Sequence, residues 1–412
     1  MAKNVKKFVN RQFIRTVDLD LLGRLLKLHV DRLSFDFDGL SRDDKERREA
    51  LFEFFRSADE SFPSQLLDAL HEILVLSNPN GVRILREQAD RAGVELIPAT
   101  EIEGEEGGRH LTPRHIALRA YLDRPAIFER ALDLCAFIAP PSPMEFAGIR
   151  EGEPSRHQDI EAREAFRAAA SEYFSERYLG RYCDVRWYTD EEEVSILVLH
   201  GKNMVTANVE QEGEERVLSF REIRQDTIRY HAPSGRLRTS AQYAPEKKKL
   251  AELFAEHLLG EPGFFDGEDS QNLYTLEPIN EAGAAFRFRT EWDDELERLH
   301  VIEVQVDEGE RTVDGRTRHP RWAMTVRDNQ NAIARLAETV PDLDLGTARI
   351  NYLKVEFTFK LNGKPRRIMV KIKPPGLVCF RRDVFEDRIM EHLRRNGLCI
   401  PRQPDTVAVA AE

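Results

Sequence analysis

The sequence predicts an α+β protein, with a helical N-terminal domain followed by one or two antiparallel β-rich units with packed helices. In the first third of the chain apolar residues recur at helical spacing, as in Leu21, Leu22, Leu25 and Leu26. From Cys183 onward the pattern changes to short runs rich in β-branched and aromatic residues, which is typical of strands, and Phe286 to Arg289 is one such run. Between these runs Pro245 predicts the start of a helix to Leu259, and Gly260 predicts its end. Turn residues separate these runs at short intervals, which favours antiparallel hairpins.

Length and composition indicate a globular protein of several domains. The 412 residues are 33% charged and 41% hydrophobic, and at roughly 150 residues per domain they predict two to four domains. The net charge of −12 argues against a uniformly basic nucleic-acid-binding protein, although a local basic patch remains compatible with it. The four cysteines include no C-x-x-C pair, and no apolar run approaches the roughly 20 residues that span a bilayer. We therefore expect a cytoplasmic protein with no membrane contact and no cofactor.

Proline and composition shifts predict the domain boundaries. Residues 1–139 form the helical domain, which we expect to bind a protein partner, and Pro140, Pro141 and Pro143 open a linker over residues 140–158. Two α+β domains follow, at residues 159–270 and 271–412, and the second ends in a basic hairpin and a helix. Residues 225–259 and 350–396 share the order strand, turn, strand, proline, helix. This order fits either an internal duplication or two ordinary hairpin–helix motifs, and low residue identity favours the second interpretation.

The C-terminal hairpin is the best-defined local prediction. Asn362 and Gly363 predict a type I′ turn, because both positions of that turn need positive φ. On one side of the turn Val355, Phe357 and Phe359 alternate with polar residues, so the sequence predicts one apolar face and one charged face.

Positive charge is concentrated in this hairpin and its helix. Residues 345–402 contain 14 Lys plus Arg against 5 Asp plus Glu, so the rest of the chain is strongly acidic. A two-stranded ribbon with a cationic face can enter a major groove or lie along phosphates. The residues predicted to bind DNA, RNA or an acidic protein partner are Lys354, Lys360, Lys364, Arg366, Arg367, Lys371, Lys373, Arg381 and Arg382. Two other interpretations are that these cations protect a sheet edge from aggregation or dock on the acidic remainder of the chain.

The N-terminus is a second basic segment. Lys3, Lys6, Lys7, Arg11 and Arg15 precede the first acidic residue, Asp18. Such a segment can contact phosphates or a membrane surface, but a first helix that packs its apolar side on the domain is the favoured interpretation.

No motif assigns a reaction. The sequence has no H-E-x-x-H, no Gly-Lys-Ser/Thr phosphate loop and no Gly-x-Ser-x-Gly elbow. His200, at the end of an apolar strand, is more typical of a packed histidine than of a general base. Glu356 and Lys360 are about 13 Å apart along one strand, which does not fit the acid-x-Lys spacing of nucleases. We therefore predict no catalytic residue.

The leading hypothesis is a non-enzymatic binding or regulatory protein. In it the acidic body binds a protein partner and the basic unit engages nucleic acid or an acidic partner, as an accessory of a transcription-regulation or genome-defence system. One alternative is a metal-dependent nuclease or hydrolase whose acids are brought together only by the fold. Another is a structural scaffold or adaptor.

Overall fold

The computed structural model divides the chain into two compact units. One consists of Met1–Phe137 with Asn208–Arg216, and the other of Ile138–Ala207 with Val217–Glu412. Helices come first and antiparallel sheets follow, which confirms the predicted α+β class. The structure describes residues 11–29, 33, 35–56, 62–97, 112–138, 143–190, 192–211, 213–267, 269–308, 311–313, 316–318, 320–341, 348–361, 364–380 and 385–401.

The first unit is built from amphipathic helices. They are α1 (Arg11–Thr16), α2 (Leu19–Lys27), α3 (Asp44–Arg56), α4 (Ser64–Leu76), α5 (Pro79–Arg91), α6 (Pro113–Asp123) and α7 (Pro125–Ile138). The core of this unit includes Leu22, Leu25, Leu66 and Ile73, which are fully or almost fully buried. Across the described part of the chain no helix is both long and apolar enough to cross a membrane.

The five strands of the first sheet belong to the second unit. The elements of this part of the chain are, in order, β1 (Met144–Ala147), α8 (Ile160–Glu176), β2 (Cys183–Thr189), β3 (Glu193–Gly201), β4 (Val205–Gln211), β5 (Glu214–Phe220), β6 (Ile223–His231), β7 (Arg236–Ser240) and α9 (Ala244–Leu253). Residues Asn208–Arg216, within β4 and β5, are counted with the first unit. The strand order is β1-β7-β6-β3-β2 and all pairs are antiparallel. The strands β4 and β5 form a separate hairpin between β3 and β6. Helix α9 continues into a π-helical turn, Phe254–Leu259, and ends at Gly260 with φ 72°, where the sequence predicted a helix stop.

Apolar alternation gives this sheet one hydrophobic face. Ile196, Val198 and Ile228 belong to a core cluster that also holds Phe166 of α8 and Leu250 of α9. The face is therefore covered by helices, while the other face carries Ser195, Arg229, Arg238 and Glu145 at successive register positions across four strands.

The second sheet follows in the same unit. Its elements are α10 (Glu277–Ala282), β8 (Leu296–Asp307), β9 (Arg311–Val313), β10 (Arg316–Arg318), β11 (Ala323–Arg327), α11 (Ala332–Thr339), β12 (Arg349–Leu361), β13 (Lys364–Lys373), β14 (Leu377–Cys379) and α12 (Glu386–Arg395). The order is β11-β8-β12-β13-β14, and among the described strands β9 pairs with β10 in a separate two-stranded sheet. Phe357, Phe359 and Val370 are fully buried and share a core with Ile389 and Leu393 of α12.

One predicted strand is wrong. Residues 286–290 are irregular and follow a 3₁₀ turn, Gly283–Ala285. The Asn396 side chain accepts from the Arg289 N–H at 2.7 Å and donates to the Arg289 carbonyl at 3.2 Å. These side-chain bonds satisfy the backbone that a neighbouring strand would otherwise pair.

The two sheets share an order of elements. In the first sheet the chain runs from β3 through the β4–β5 hairpin to β6, β7 and α9. In the second it runs from β8 through the β9–β10 hairpin to β11, α11, the strands β12 to β14 and α12.

Residues 144–147, within the predicted linker, form β1 on the edge of the first sheet. The predicted boundary at residue 270 falls inside a single compact unit.

Candidate nucleic-acid interface

The predicted basic hairpin is the centre of the second sheet. Strand β12 pairs with β8 as well as with β13, and β13 pairs with β14. The two strands are therefore not the free-standing ribbon that the sequence suggested, and they cannot enter a major groove as one. Their cations lie instead on one face of a five-stranded sheet.

Cations on this face extend over four neighbouring strands. We call it the basic face and define it by Arg298, Arg327, Lys354, Lys360, Arg367, Lys371 and Lys373. Arg367 lies directly opposite Thr358, which lies opposite Arg298. The side chains of Arg367 and Arg327 are 72% and 74% exposed, and Lys360 and Lys373 are exposed as well. These four side chains can therefore contact a ligand without unfolding any part of the sheet.

Lys354 is neutralised within the molecule. Its Nζ lies 2.8 Å from Oε1 of Glu303, a buried carboxylate on β8. The same carboxylate accepts from the Tyr352 hydroxyl at 2.7 Å and from Nε of Arg327 at 2.6 Å. Lys371 places its Nζ 4.1 Å from the centre of the Tyr352 ring. Lys354 and Lys371 are thus held by Glu303 and by the Tyr352 ring, whereas Lys360 and Lys373 project into solvent.

The Glu303 carboxylate makes stability dependent on pH. Burial alone would raise its pKa, but hydrogen bonds from Lys354, Tyr352 and Arg327 outweigh burial and lower the pKa from 4.5 to about 2. A depressed pKa stabilises the fold fully above about pH 4.5, and this contribution is lost as the pH falls towards 2. Between pH 5 and pH 3 we expect the free energy of unfolding to fall by about 2 kcal/mol more in the wild type than in Glu303→Gln.

Urea unfolding at a series of pH values measures this difference. The matched control is Glu308→Gln, directly after β8. Its free energy of unfolding should change with pH more nearly as that of the wild type does than the free energy of Glu303→Gln. Parallel curves for the wild type and Glu303→Gln would show that the cluster does not depress the Glu303 pKa.

Glu356 also lies beneath the basic face. It is buried, with Oε1 3.9 Å from Nε2 of His300 and 4.0 Å from Nε of Arg367. Burial and then the charge of Arg298 lower the pKa of His300, and Glu356 only partly opposes them. Within the described ranges no group of three or more His, Cys, Asp or Glu side chains is placed to hold a metal ion.

Of the remaining predicted site residues only Arg366 has a side chain within the described part of the structure, and it does not add to the basic face. Arg366 is half-buried and lies opposite Phe359, at a register position of the inner face. Lys364 begins β13, but its side chain lies outside the described residues, as do Arg381 and Arg382. The Asn362–Gly363 turn and the basic residues Lys3, Lys6 and Lys7 also lie outside them.

His200 belongs to a buried ionic cluster in the first sheet. Its Nε2 lies 3.0 Å from Oδ2 of Asp226, and its Nδ1 lies 2.8 Å from the Gly201 carbonyl. The ring stacks on Phe174 at 3.7 Å, and Nε of Arg224 lies 2.9 Å from Oδ1 of Asp226. Asp226 is fully buried, so the cluster supports the fold and offers no open ligand position.

A second ionic network covers the polar face of the first sheet. Arg238 contacts Glu145 through Nε at 2.9 Å and Glu386 through Nη1 at 3.2 Å, and Arg229 reaches Glu386 at 3.3 Å. The Tyr274 hydroxyl donates to Glu145 at 2.5 Å. Burial alone would lower the pKa of Arg238, but Glu145 and Glu386 raise it above its ordinary value. Sequence reasoning missed this network because Glu386 comes from α12, far along the chain.

Comparison with known proteins adds no assignment. No family model matches the chain. No curated protein matches it either. A function for this protein has to be argued from the geometry of the basic face.

Proposed function

We propose that this chain is a non-enzymatic binding protein that holds single-stranded nucleic acid across the basic face. The observation that supports the proposal is the separation of charge on that face. Lys360, Arg367 and Lys373 are exposed, whereas the carboxylates of Glu303 and Glu356 on the same face are buried. A polyanion would therefore meet cations first and would not have to displace surface carboxylates.

The shape of the face favours a single strand. A sheet face can track a flexible backbone, and sheet-faced domains that recognise RNA present exposed side chains to unstacked bases. Met369 is 47% exposed beside Glu356, whereas the half-buried Tyr352 ring has Nζ of Lys371 4.1 Å from its centre. Met369 supplies contact area for bases between the cations that would hold phosphates.

The helical unit completes the proposal. We assign to it the binding of a protein partner, which would make the whole chain an accessory of a nucleic-acid-processing assembly, such as a transcription-regulation or genome-defence system. The strongly acidic balance outside residues 345–402 supports this division of roles, because it disfavours phosphate binding elsewhere.

Charge reversal of three exposed cations tests the proposal. In Lys360→Glu/Arg367→Glu/Lys373→Glu we expect the dissociation constant for single-stranded DNA and RNA to rise by about 100-fold or more at moderate salt. The salt slope of log K should fall by about 2, at about 0.7 per phosphate contact on a single strand. Fluorescence anisotropy of labelled oligonucleotides over a range of NaCl concentrations measures both quantities.

The matched control is Arg124→Glu/Lys248→Glu/Arg335→Glu, which makes the same charge change at exposed positions outside the basic face. We expect it to bind within a fewfold of the wild type. If the wild type bound neither oligonucleotide but did bind an acidic polypeptide, the ligand of the basic face would be a protein and not nucleic acid. Equal losses of affinity in the two triple variants would show that binding depends on the net charge of the protein and not on the basic face.

A further inference from the structure

His300 places a titratable ring on the basic face, beside its cations. It lies two residues from Arg298 on β8, on the same side of the sheet, and it lies opposite Glu356 of β12. Nε2 of His300 is 3.9 Å from Oε1 of Glu356, and Nε of Arg367 on β13 is 4.0 Å from the same oxygen. The His300 side chain is 10% exposed, whereas Arg298 and Arg367 are exposed. Two cations that can reach a phosphate therefore lie next to a ring that can change its charge.

The charged groups that face His300 come from β8, β12, β13 and the segment after β11. Burial lowers the pKa of His300 below its ordinary value of 6.5, and the charges of Arg298 and Arg367 lower it as well. Glu356 partly opposes them, and the Asp328 carboxylate also interacts with the ring. In the free protein the ring is therefore mostly neutral at pH 7.

A phosphate bound by Arg298 and Arg367 would change this balance. Its negative charge offsets the two cations that disfavour a charged ring, and it attracts the proton directly. The pKa of His300 should therefore be higher in the complex than in the free protein.

We propose that binding of a single strand to the basic face is coupled to the uptake of a proton by His300, so that the protein binds more tightly in mildly acidic solution. This inference rests on the proposed function and adds a regulation by pH to it. The coupling is reciprocal, since a ligand that favours the protonated ring is itself favoured by protonation. Affinity therefore rises as the pH falls through the pKa of the complex and becomes constant below the pKa of the free protein.

The charges of the other groups discussed for this face are constant over the relevant range. Between about pH 5.5 and pH 7.5 lysine and arginine side chains stay protonated. Glu303, whose pKa is about 2, stays ionised. A change of affinity in this range is thus not due to Glu303 or to the cations.

Fluorescence anisotropy of labelled oligo(dT) and oligo(U) at constant NaCl concentration tests the coupling. Thymine and uracil do not titrate between about pH 5.5 and pH 7.5, so a change of affinity reports on the protein. The wild-type dissociation constant should be about threefold or more lower at the acidic end, whereas that of His300→Gln should be nearly constant. The matched control is His231→Gln, which removes an imidazole at the end of β6 in the first sheet and should keep the wild-type pH dependence.

Calorimetry of the unmodified protein measures the proton itself. When the binding enthalpy is determined in buffers of different ionisation enthalpy, its slope gives the number of protons taken up. Below the ordinary pKa of histidine this number should be positive, and it should approach zero at about pH 8. If His300→Gln did not fold, as judged by circular dichroism, this measurement would decide the question.

The outcomes separate this coupling from the proposed function. Binding of both oligonucleotides with the same affinity across the pH range, or without proton uptake, would overturn the coupling and leave the basic face as the binding site. A folded His300→Gln that kept the wild-type pH dependence would overturn it too, because the proton would then be taken up elsewhere. A wild type that bound neither oligonucleotide at either pH would overturn the proposed function, and the coupling with it.

Discussion

Arg238→Met should lower the free energy of unfolding by about 3–5 kcal/mol. The substitution keeps the length of the side chain but leaves the carboxylate of Glu145, which is 3% exposed, without its cation. A buried charge that loses its partner retains its full desolvation cost. Urea unfolding followed by circular dichroism measures the loss.

Two variants make the result specific. Arg335→Met removes an arginine from an exposed pair with Glu338 and should cost about 0.5 kcal/mol or less. Arg238→Met/Glu145→Gln should recover part of the stability, because it removes the uncompensated charge. A loss below about 1 kcal/mol in Arg238→Met would mean that Glu145 is rehydrated or neutralised at little cost.

Asp226→Asn should cost a similar amount, about 3–5 kcal/mol. Asp226 is fully buried between His200 and Arg224. Nε of Arg224 lies 2.9 Å from Oδ1 of Asp226, and Nε2 of His200 lies 3.0 Å from Oδ2. An amide of the same shape removes the negative charge from this pair and leaves Arg224 with Glu246, 3.4 Å from its Nη1.

Asp184→Asn is the control for this substitution. Asp184 pairs with Arg186 in the same sheet, at 3.0 Å, but both side chains are about 40% exposed, so the cost should be about 0.5 kcal/mol. The same urea titration compares the two variants. Similar stabilities for Asp226→Asn and Asp184→Asn would show that Glu246 is a sufficient counter-ion for Arg224.

Local sequence pattern was sufficient for the fold class and for most elements. The alternation of Val355, Phe357 and Phe359 correctly predicted a buried face, because a strand places every second side chain on the same side. The helix before Gly260 was predicted for a similarly local reason. The strand predicted near Phe286 failed because Asn396, more than a hundred residues away, satisfies the backbone there.

The candidate site was less predictable, since alternation assigns a face but not its neighbours. Lys354 was expected to face a ligand, and the structure pairs it with Glu303 because β8 lies beside β12. The same strand pairing adds Arg298 and Arg327 to the basic face, although neither lies in the hairpin. A charge pattern within one segment cannot reveal countercharges that arrive from another strand.

The position of Glu386 has a consequence for the folding of the second unit. The carboxylate of Glu386, at the start of α12, pairs with both Arg229 and Arg238 of the first sheet. If either sheet lost its structure, charges that the other sheet compensates would therefore be left without this partner. We therefore expect the two sheets to melt together. A fragment that stops at residue 270 would keep Glu193 beside Arg229 and Glu145 beside Arg238 but would lack Glu386, the carboxylate that both arginines share.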